Sequence, residues 1–150
     1  MQKKLTTYDD LMCGQCAEFT KTITQADLSH FIAITADANP LHVDAGFAAR
    51  TFFKKPIAHG LLSASLFSHV VGMILPGTGA IYRSQCLDFH RPVYVGDTLT
   101  ASLEITRIDA DNELIEMQGN ITNQHGETVI SGLAKASLLR SLKEDHDGGN

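Results

Sequence analysis

The sequence predicts an α+β domain in which one antiparallel sheet wraps a single buried helix. Three observations carry that expectation. Residues 60–75 are apolar on nearly every side, so a helix there must be covered by protein rather than by water. Four runs of strand character follow, at 80–92, 98–108, 114–122 and 128–139. The turn signals between them, Val95-Gly96-Asp97, Asp109-Ala110-Asp111-Asn112 and His125-Gly126, leave no room for crossover helices, so the strands should run antiparallel.

Each element has a local cause. Residues 1–10 read as a loose arm, and 17–22 alternate as a first strand should. Thr24 followed by Asp27 is the carboxylate variant of a capping box and starts a helix, with Leu28, Phe31 and Ile32 on one face. Asp44 is placed to cap a second short helix carrying Phe47 and Ala48. Residues 51–56, with Phe52, Phe53, Lys54 and Lys55, form connecting loop. In 60–75 the large residues Leu61, Leu62, Leu66, Phe67, Val70, Val71, Met73, Ile74 and Leu75 surround the helix, and Gly60, Ser63, Ala64 and Gly72 keep it slim. The segment is short of the roughly 20 residues of a membrane span and carries serines and His69. Pro76-Gly77 ends it.

At 150 residues the chain is long enough for one core that buries about 70% of the unfolded surface. We divide it into a single domain at 1–140 and a polar tail at 141–150, ending Gly-Gly-Asn, that is expected to be disordered. The net charge of −5 argues against a nucleic-acid or membrane surface, so an anionic ligand would need a local group of cations. Lys54 and Lys55 could meet the phosphates of such a ligand, but paired lysines in a loop are more often simply solvated, and no contact is assigned to them. Cysteines at 13, 16 and 86 make no disulfide framework. Cys13-Gly14-Gln15-Cys16 has redox-motif spacing without a βαβ context and without a second pair to complete a zinc site, and it reads as the turn into the first strand. Lys3 and Lys4 are not followed by an apolar run, so no signal peptide is visible and a cytoplasmic setting is expected.

The chemistry is concentrated in Asp37-Ala38-Asn39-Pro40-Leu41-His42. Asp37 lies at the end of a helical pattern, where a carboxylate opposes the macrodipole, so it is poorly explained as a cap. Pro40 fixes its own φ and pushes Asn39 out of the α region, which ends the helix and lets the turn set His42 back against Asp37. An Asp and a His converging on one point can hold and deprotonate a water. The same residues also fit a plain Asn-Pro turn with a solvated histidine. Gly60 opens the apolar helix and offers a free amide with no side chain in the way, as a carbonyl-polarising site needs; tight packing at a helix start explains it equally. Ser68, eight residues on, is about two turns along and nearly on the same face, or merely bonds a backbone carbonyl. His30, His69, His90, His125 and His146 show no partners at metal spacing, and no metal is expected.

The run 37–42, with Phe47-Ala48-Ala49, Pro56-Ile57-Ala58-His59-Gly60, Phe89, Pro92-Val93 and Val95-Gly96-Asp97 in order after it, resembles the MaoC-like, (R)-specific enoyl-CoA hydratases. It departs from them in having Ala36 where a glycine often precedes the aspartate. The resemblance implies the hot-dog fold and reversible addition of water to a trans-2-enoyl-CoA. It implies Asp37 and His42 as the pair that holds water, the Gly60 amide as the donor to the thioester oxygen, and Ser68 in support. Asn39 and His59 are the residues it places toward substrate, His59 through the helix-entry motif. No cofactor is implied. Partners are an acyl-CoA, or an acyl carrier protein bearing the same thioester, and a second copy of the chain in a homodimer that pairs a free sheet edge. Three other readings remain open: a hot-dog thioesterase, a 3-hydroxyacyl-carrier-protein dehydratase, and a non-catalytic acyl-CoA-binding module.

Overall fold

The computed structural model describes residues 4–140, and the expected tail at 141–150 lies outside them. A short 3-10 turn, Tyr8–Asp10, precedes β1 (Cys16–Thr22). Then come α1 (Gln25–Thr35), α2 (Pro40–Val43) and α3 (Ala45–Ala49). A helical path follows through α4 (Gly60–Ala64), α5 (Leu66–His69) and a π-helical turn, Val70–Ile74. The chain closes with β2 (Ala80–Phe89), β3 (Thr98–Asp109), β4 (Leu114–Thr122) and β5 (Thr128–Leu138). The strands form one sheet in the order β1-β3-β4-β5-β2, and every neighbouring pair is antiparallel.

The helix starts have the expected local causes. Thr24 accepts the Asp27 amide at 3.2 Å, and the Asp27 carboxylate accepts the Thr24 amide at 2.8 Å, a reciprocal capping box. Asp44 caps α3 by accepting the Phe47 amide at 2.9 Å. The short helix α2 is not apparent in the sequence pattern. It forms because Asn39 accepts the Leu41 amide and Pro40 occupies the first helical position, where its missing N–H costs nothing.

The sheet packs on the helical path through α5 and the π turn, which lie against β1, β2 and β3. Phe67, Val70 and Val71 are at most 1% exposed and join Leu99, Leu103, Ile105, Ile115 and Met117 in one core. Gly119 in β4 makes this possible. A Cβ there would come within 2.9 Å of the Phe67 ring and of Leu103, so the sheet meets the helix at a position that only glycine leaves open.

The central helix differs from its sequence reading in two respects. It is interrupted at Ser65 and ends in a π turn instead of running as one regular helix over 60–75. The sheet also covers one side of it only. Leu61 (63%), Met73 (61%) and Ile74 (44%) stay exposed, because the five strands cover the inner face that carries Phe67, Val70 and Val71. No described helix is long and apolar enough to cross a membrane.

Candidate active site

The loop after α1 turns on Ala36, whose φ of 58° and ψ of 16° place it in the left-handed region. Glycine adopts that conformation without penalty, so the alanine keeps the same turn at some local cost. The turn continues as Asp37 accepts the Asn39 amide at 3.2 Å and Asn39 caps α2. One turn of α2 then carries His42 back toward Asp37.

A carboxylate oxygen of Asp37 and one ring nitrogen from each of His42 and His59 all lie within 4.8 Å of one another. Two carbonyls set the rings. His42 Nδ1 lies 2.7 Å from the Ile57 carbonyl oxygen, which accepts only, so the neutral ring carries its proton on Nδ1 and leaves Nε2 as a free acceptor. His59 Nε2 donates to the Asp37 carbonyl oxygen at 2.9 Å and sits 3.9 Å from its carboxylate, which leaves Nδ1 buried without a hydrogen-bond partner among the described residues. His59 is 3% exposed and packs between Phe31, at 5.0 Å, and His42, at 3.7 Å between ring centroids. The Asp37 side chain is half exposed.

These three residues are the described group that comes nearest to a divalent-metal site. Their arrangement does not suit one. The two imidazoles lie face to face, tilted by 31° at 3.7 Å between centroids, and the His59 Nε2–H is committed to a carbonyl.

His42 also lines a cavity of about 540 Å³, together with Gly60, Ser63, Phe53, Phe89 and Arg91 among others. The lining is mostly apolar, with Ile57, Leu61, Val93 and Ile130 contributing. Gly60 is the first residue of α4, and its amide has no backbone partner among the described residues. A Cβ at Gly60 would come within 2.7 Å of the Phe89 ring, so the glycine also makes room for that ring.

The structure therefore brings Asp37, His42 and His59 together, sets His42 and Gly60 in the lining of one cavity, and places Asn39 and Ser68 differently. Asn39 is used as the cap of α2, and His59 lies beside His42; like Asp37, neither is among the residues that line the cavity. Asn39 is held by the Leu41 amide, and His59 by the carbonyl of Asp37. Ser68 is exposed on α5 and is not among the lining residues, because Leu66, Phe67, Val70 and Val71 take the inward positions of that segment. Sequence reasoning overlooked Ser63, which is fully buried, lines the cavity and donates to the His59 carbonyl at 3.4 Å. Its spacing of three from Gly60 was the available signal.

The same geometry has known relatives. Residues 13–127 match the MaoC like domain family. Over 128 residues the chain is 43% identical to an (R)-specific enoyl-CoA hydratase of Aeromonas caviae, covering 85% of this chain and 96% of that one. It is 35% identical over 136 residues to a mitochondrial 3-hydroxyacyl-(acyl-carrier-protein) dehydratase of Solanum lycopersicum, covering 89% and 81%. Among solved structures, an unliganded R-hydratase from Pseudomonas aeruginosa superposes with a TM-score of 0.83 at 39% identity, covering 93% of this chain and 94% of that one. The expected hot-dog architecture is thus the one observed, and the chain belongs to the MaoC-like domain family.

Proposed function

We propose that the chain is an (R)-specific enoyl-CoA hydratase, adding water reversibly across a trans-2-enoyl thioester to give the (R)-3-hydroxyacyl product. The observation that carries this reading is the convergence of the Asp37 carboxylate with the His42 ring, whose free Nε2 belongs to a ring lining an apolar cavity next to the Gly60 amide. A water held between Asp37 and His42 loses a proton to one of them as its oxygen bonds to C3. The electron pair displaced from the double bond moves onto the thioester oxygen, where the Gly60 N–H stabilises it. Collapse of that enolate takes a proton at C2 and restores the thioester. The free Nε2 on a correctly oriented imidazole is what such a step requires, and a 43% identical relative carrying the hydratase name supports the substrate class.

The proposal includes a homodimer. The helical path leaves Leu61, Met73 and Ile74 exposed, and β2, at the edge of the sheet, is ten residues long and paired on one side only among the described strands. An unpaired edge beside exposed apolar residues favours self-association.

The test is an assay with crotonyl-CoA that follows the conjugated double bond and free thiol together. Loss of the double bond with no thiol released is the expected result. Thiol release at the same rate would make the chain a thioesterase, and binding without either change would make it a binding module. The carrier-protein dehydratase relative makes crotonyl acyl carrier protein the natural second substrate to compare.

A further inference from the structure

A second cavity of about 440 Å³ adjoins the first, sharing Arg91 and Pro92 with it. Its character is different. It is lined by Lys55, Tyr94, Asp97, Asn123, Gln124, His125 and Glu127 as well, so it is polar, with two cations and two carboxylates, where the first is mostly apolar.

The charges within it are not evenly matched. Both Asp97 oxygens are occupied, one by the Tyr94 amide at 2.8 Å and one by the Gln124 side chain at 2.9 Å. Glu127 accepts from the Asn123 side chain at 2.9 Å and faces the Arg91 guanidinium at 3.5 Å; that amide bond first, and Arg91 next, hold its carboxyl below the usual range. Arg91 is half exposed and engaged by Glu127 through one long contact, leaving most of its five donors free. Lys55 has no carboxylate within 4.0 Å among the described residues, and its ammonium sits 4.2 Å from the centre of the Tyr94 ring. The Tyr94 hydroxyl in turn donates to the Phe53 carbonyl at 3.2 Å, so the loop that bears Lys55 is anchored at two points. Lys54, by contrast, is an exposed residue at φ 66° and is not among the lining residues.

We propose that this polar cavity receives the phosphate of the thioester's phosphopantetheine handle, with Lys55 and Arg91 as its cations. The proposal rests on the hydratase reading of the adjoining cavity and names the part of the substrate that reading leaves unplaced. Two anchored or shared cations at the exit of an apolar thioester pocket match a ligand that is apolar at one end and anionic at the other. Arg91 offers planar paired donors and Lys55 a point charge, a usual combination for phosphate. A coenzyme A diphosphate and a carrier-protein phosphodiester share this chemistry.

Calorimetric affinities of free coenzyme A, 4′-phosphopantetheine and pantetheine test it in the wild type and in Lys55→Gln, Arg91→Gln and Glu127→Gln, alongside hydration of their crotonyl thioesters. A charge-assisted hydrogen bond lost to phosphate should cost about tenfold in affinity. Lys55→Gln and Arg91→Gln are each expected to reduce the preference for coenzyme A over pantetheine by about that factor. Glu127→Gln, which removes the competing carboxylate, should raise it. A preference already present in 4′-phosphopantetheine assigns the site to the phosphate common to both carriers, and one seen only with coenzyme A overturns that assignment in favour of the nucleotide phosphates. An unchanged preference in both cation variants overturns the proposal even if crotonyl-CoA is hydrated. Loss of preference in a protein that hydrates none of the thioesters keeps the phosphate site and overturns the hydratase reading instead. Thermal melts accompany each variant, and all three positions lie at the surface, where exposed charges contribute little to folding.

Discussion

The imidazole of His59 lies 3.7 Å from that of His42, nearly stacked on it, while its Nε2–H donates to the main-chain oxygen of Asp37 at 2.9 Å. One buried ring therefore holds both halves of the proposed acid/base pair. It sets the plane of one and the backbone position of the other.

His59→Phe is expected to keep the stack and lose the hydrogen bond. Turnover should fall by about ten- to a hundredfold with little change in substrate affinity, since a misplaced pair loses its geometry without altering the pocket. His59→Ala removes the stack as well and should also destabilise the fold by about 2–4 kcal/mol through the cavity left behind. Steady-state kinetics and urea melts of the two variants separate these effects. Equal turnover in His59→Phe and wild type would show that Asp37 needs no such support.

Gly60→Val is expected to lower hydration by about 10²- to 10³-fold, the usual consequence of losing an oxyanion donor. The added Cβ also meets the Phe89 ring, which is half exposed and free to swing aside. Pairing Gly60→Val with Phe89→Ala makes the distinction, because the second change clears the steric contact. Recovery of hydration in the double variant would mean that the glycine serves packing alone; continued loss supports the amide at the thioester.

The capping box predicts a pH signature. The Asp27 carboxyl is held below its usual range, chiefly by hydrogen bonds from the Thr24 side chain and amide, with Lys21 at 3.1 Å contributing less. Its folded value is thus lower than its unfolded one, so its contribution is present above the unfolded value and is lost as pH falls through the folded one. Asp27→Asn should cost about 0.5–1 kcal/mol near neutrality, and the difference from wild type should begin to shrink as pH falls below about 4. Denaturant melts at pH 7 and pH 3 measure it, and a difference as large at pH 3 as at pH 7 would contradict the assignment.

Ala36→Gly should raise stability by up to about 1 kcal/mol. It relieves the left-handed alanine, and the greater freedom of glycine in the unfolded chain offsets part of the gain. A loss of stability would mean that the turn does not hold Ala36 at positive φ. Thermal melts of the two proteins decide it.

What the sequence made legible was local. Thr24 with Asp27, Asp44 with Phe47, and the strand borders at Leu114 and Thr122 each depend on neighbours a few residues apart, and the structure has them as read. Asp37 and His42 were also readable, because Pro40 restricts the chain between them. The helix α2 was not, since Asn39-Pro40 is as good a turn as it is a helix start. The facing of Ser68 depended on a helix that stays regular, and the interruption at Ser65 and the π turn, which lies against the sheet, have no signal in the local pattern. Phe89, Arg91 and Ile130 line the cavity from strands and loops far along the chain, so only the folded sheet brings them there. Lys55 and Lys54 are alike in sequence, and the folded chain tells them apart by setting Lys55 over the Tyr94 ring in the polar cavity.

The central claim is that Asp37 and His42 act together on one water, and the crotonyl-CoA hydration rates of Asp37→Asn, His42→Ala and the double variant test it most directly. Asparagine keeps the shape of aspartate and cannot take up a proton, so the first change removes chemistry without opening a gap. Each single variant should lose about 10²- to 10⁴-fold in rate with its melting temperature and enoyl-CoA affinity nearly unchanged. The double should be little worse than the worse single, as groups acting as a unit are strongly non-additive. Hydration by Asp37→Asn at the wild-type rate, or losses that add independently and track lower melting temperatures, would contradict the account and return both residues to the turn that holds them.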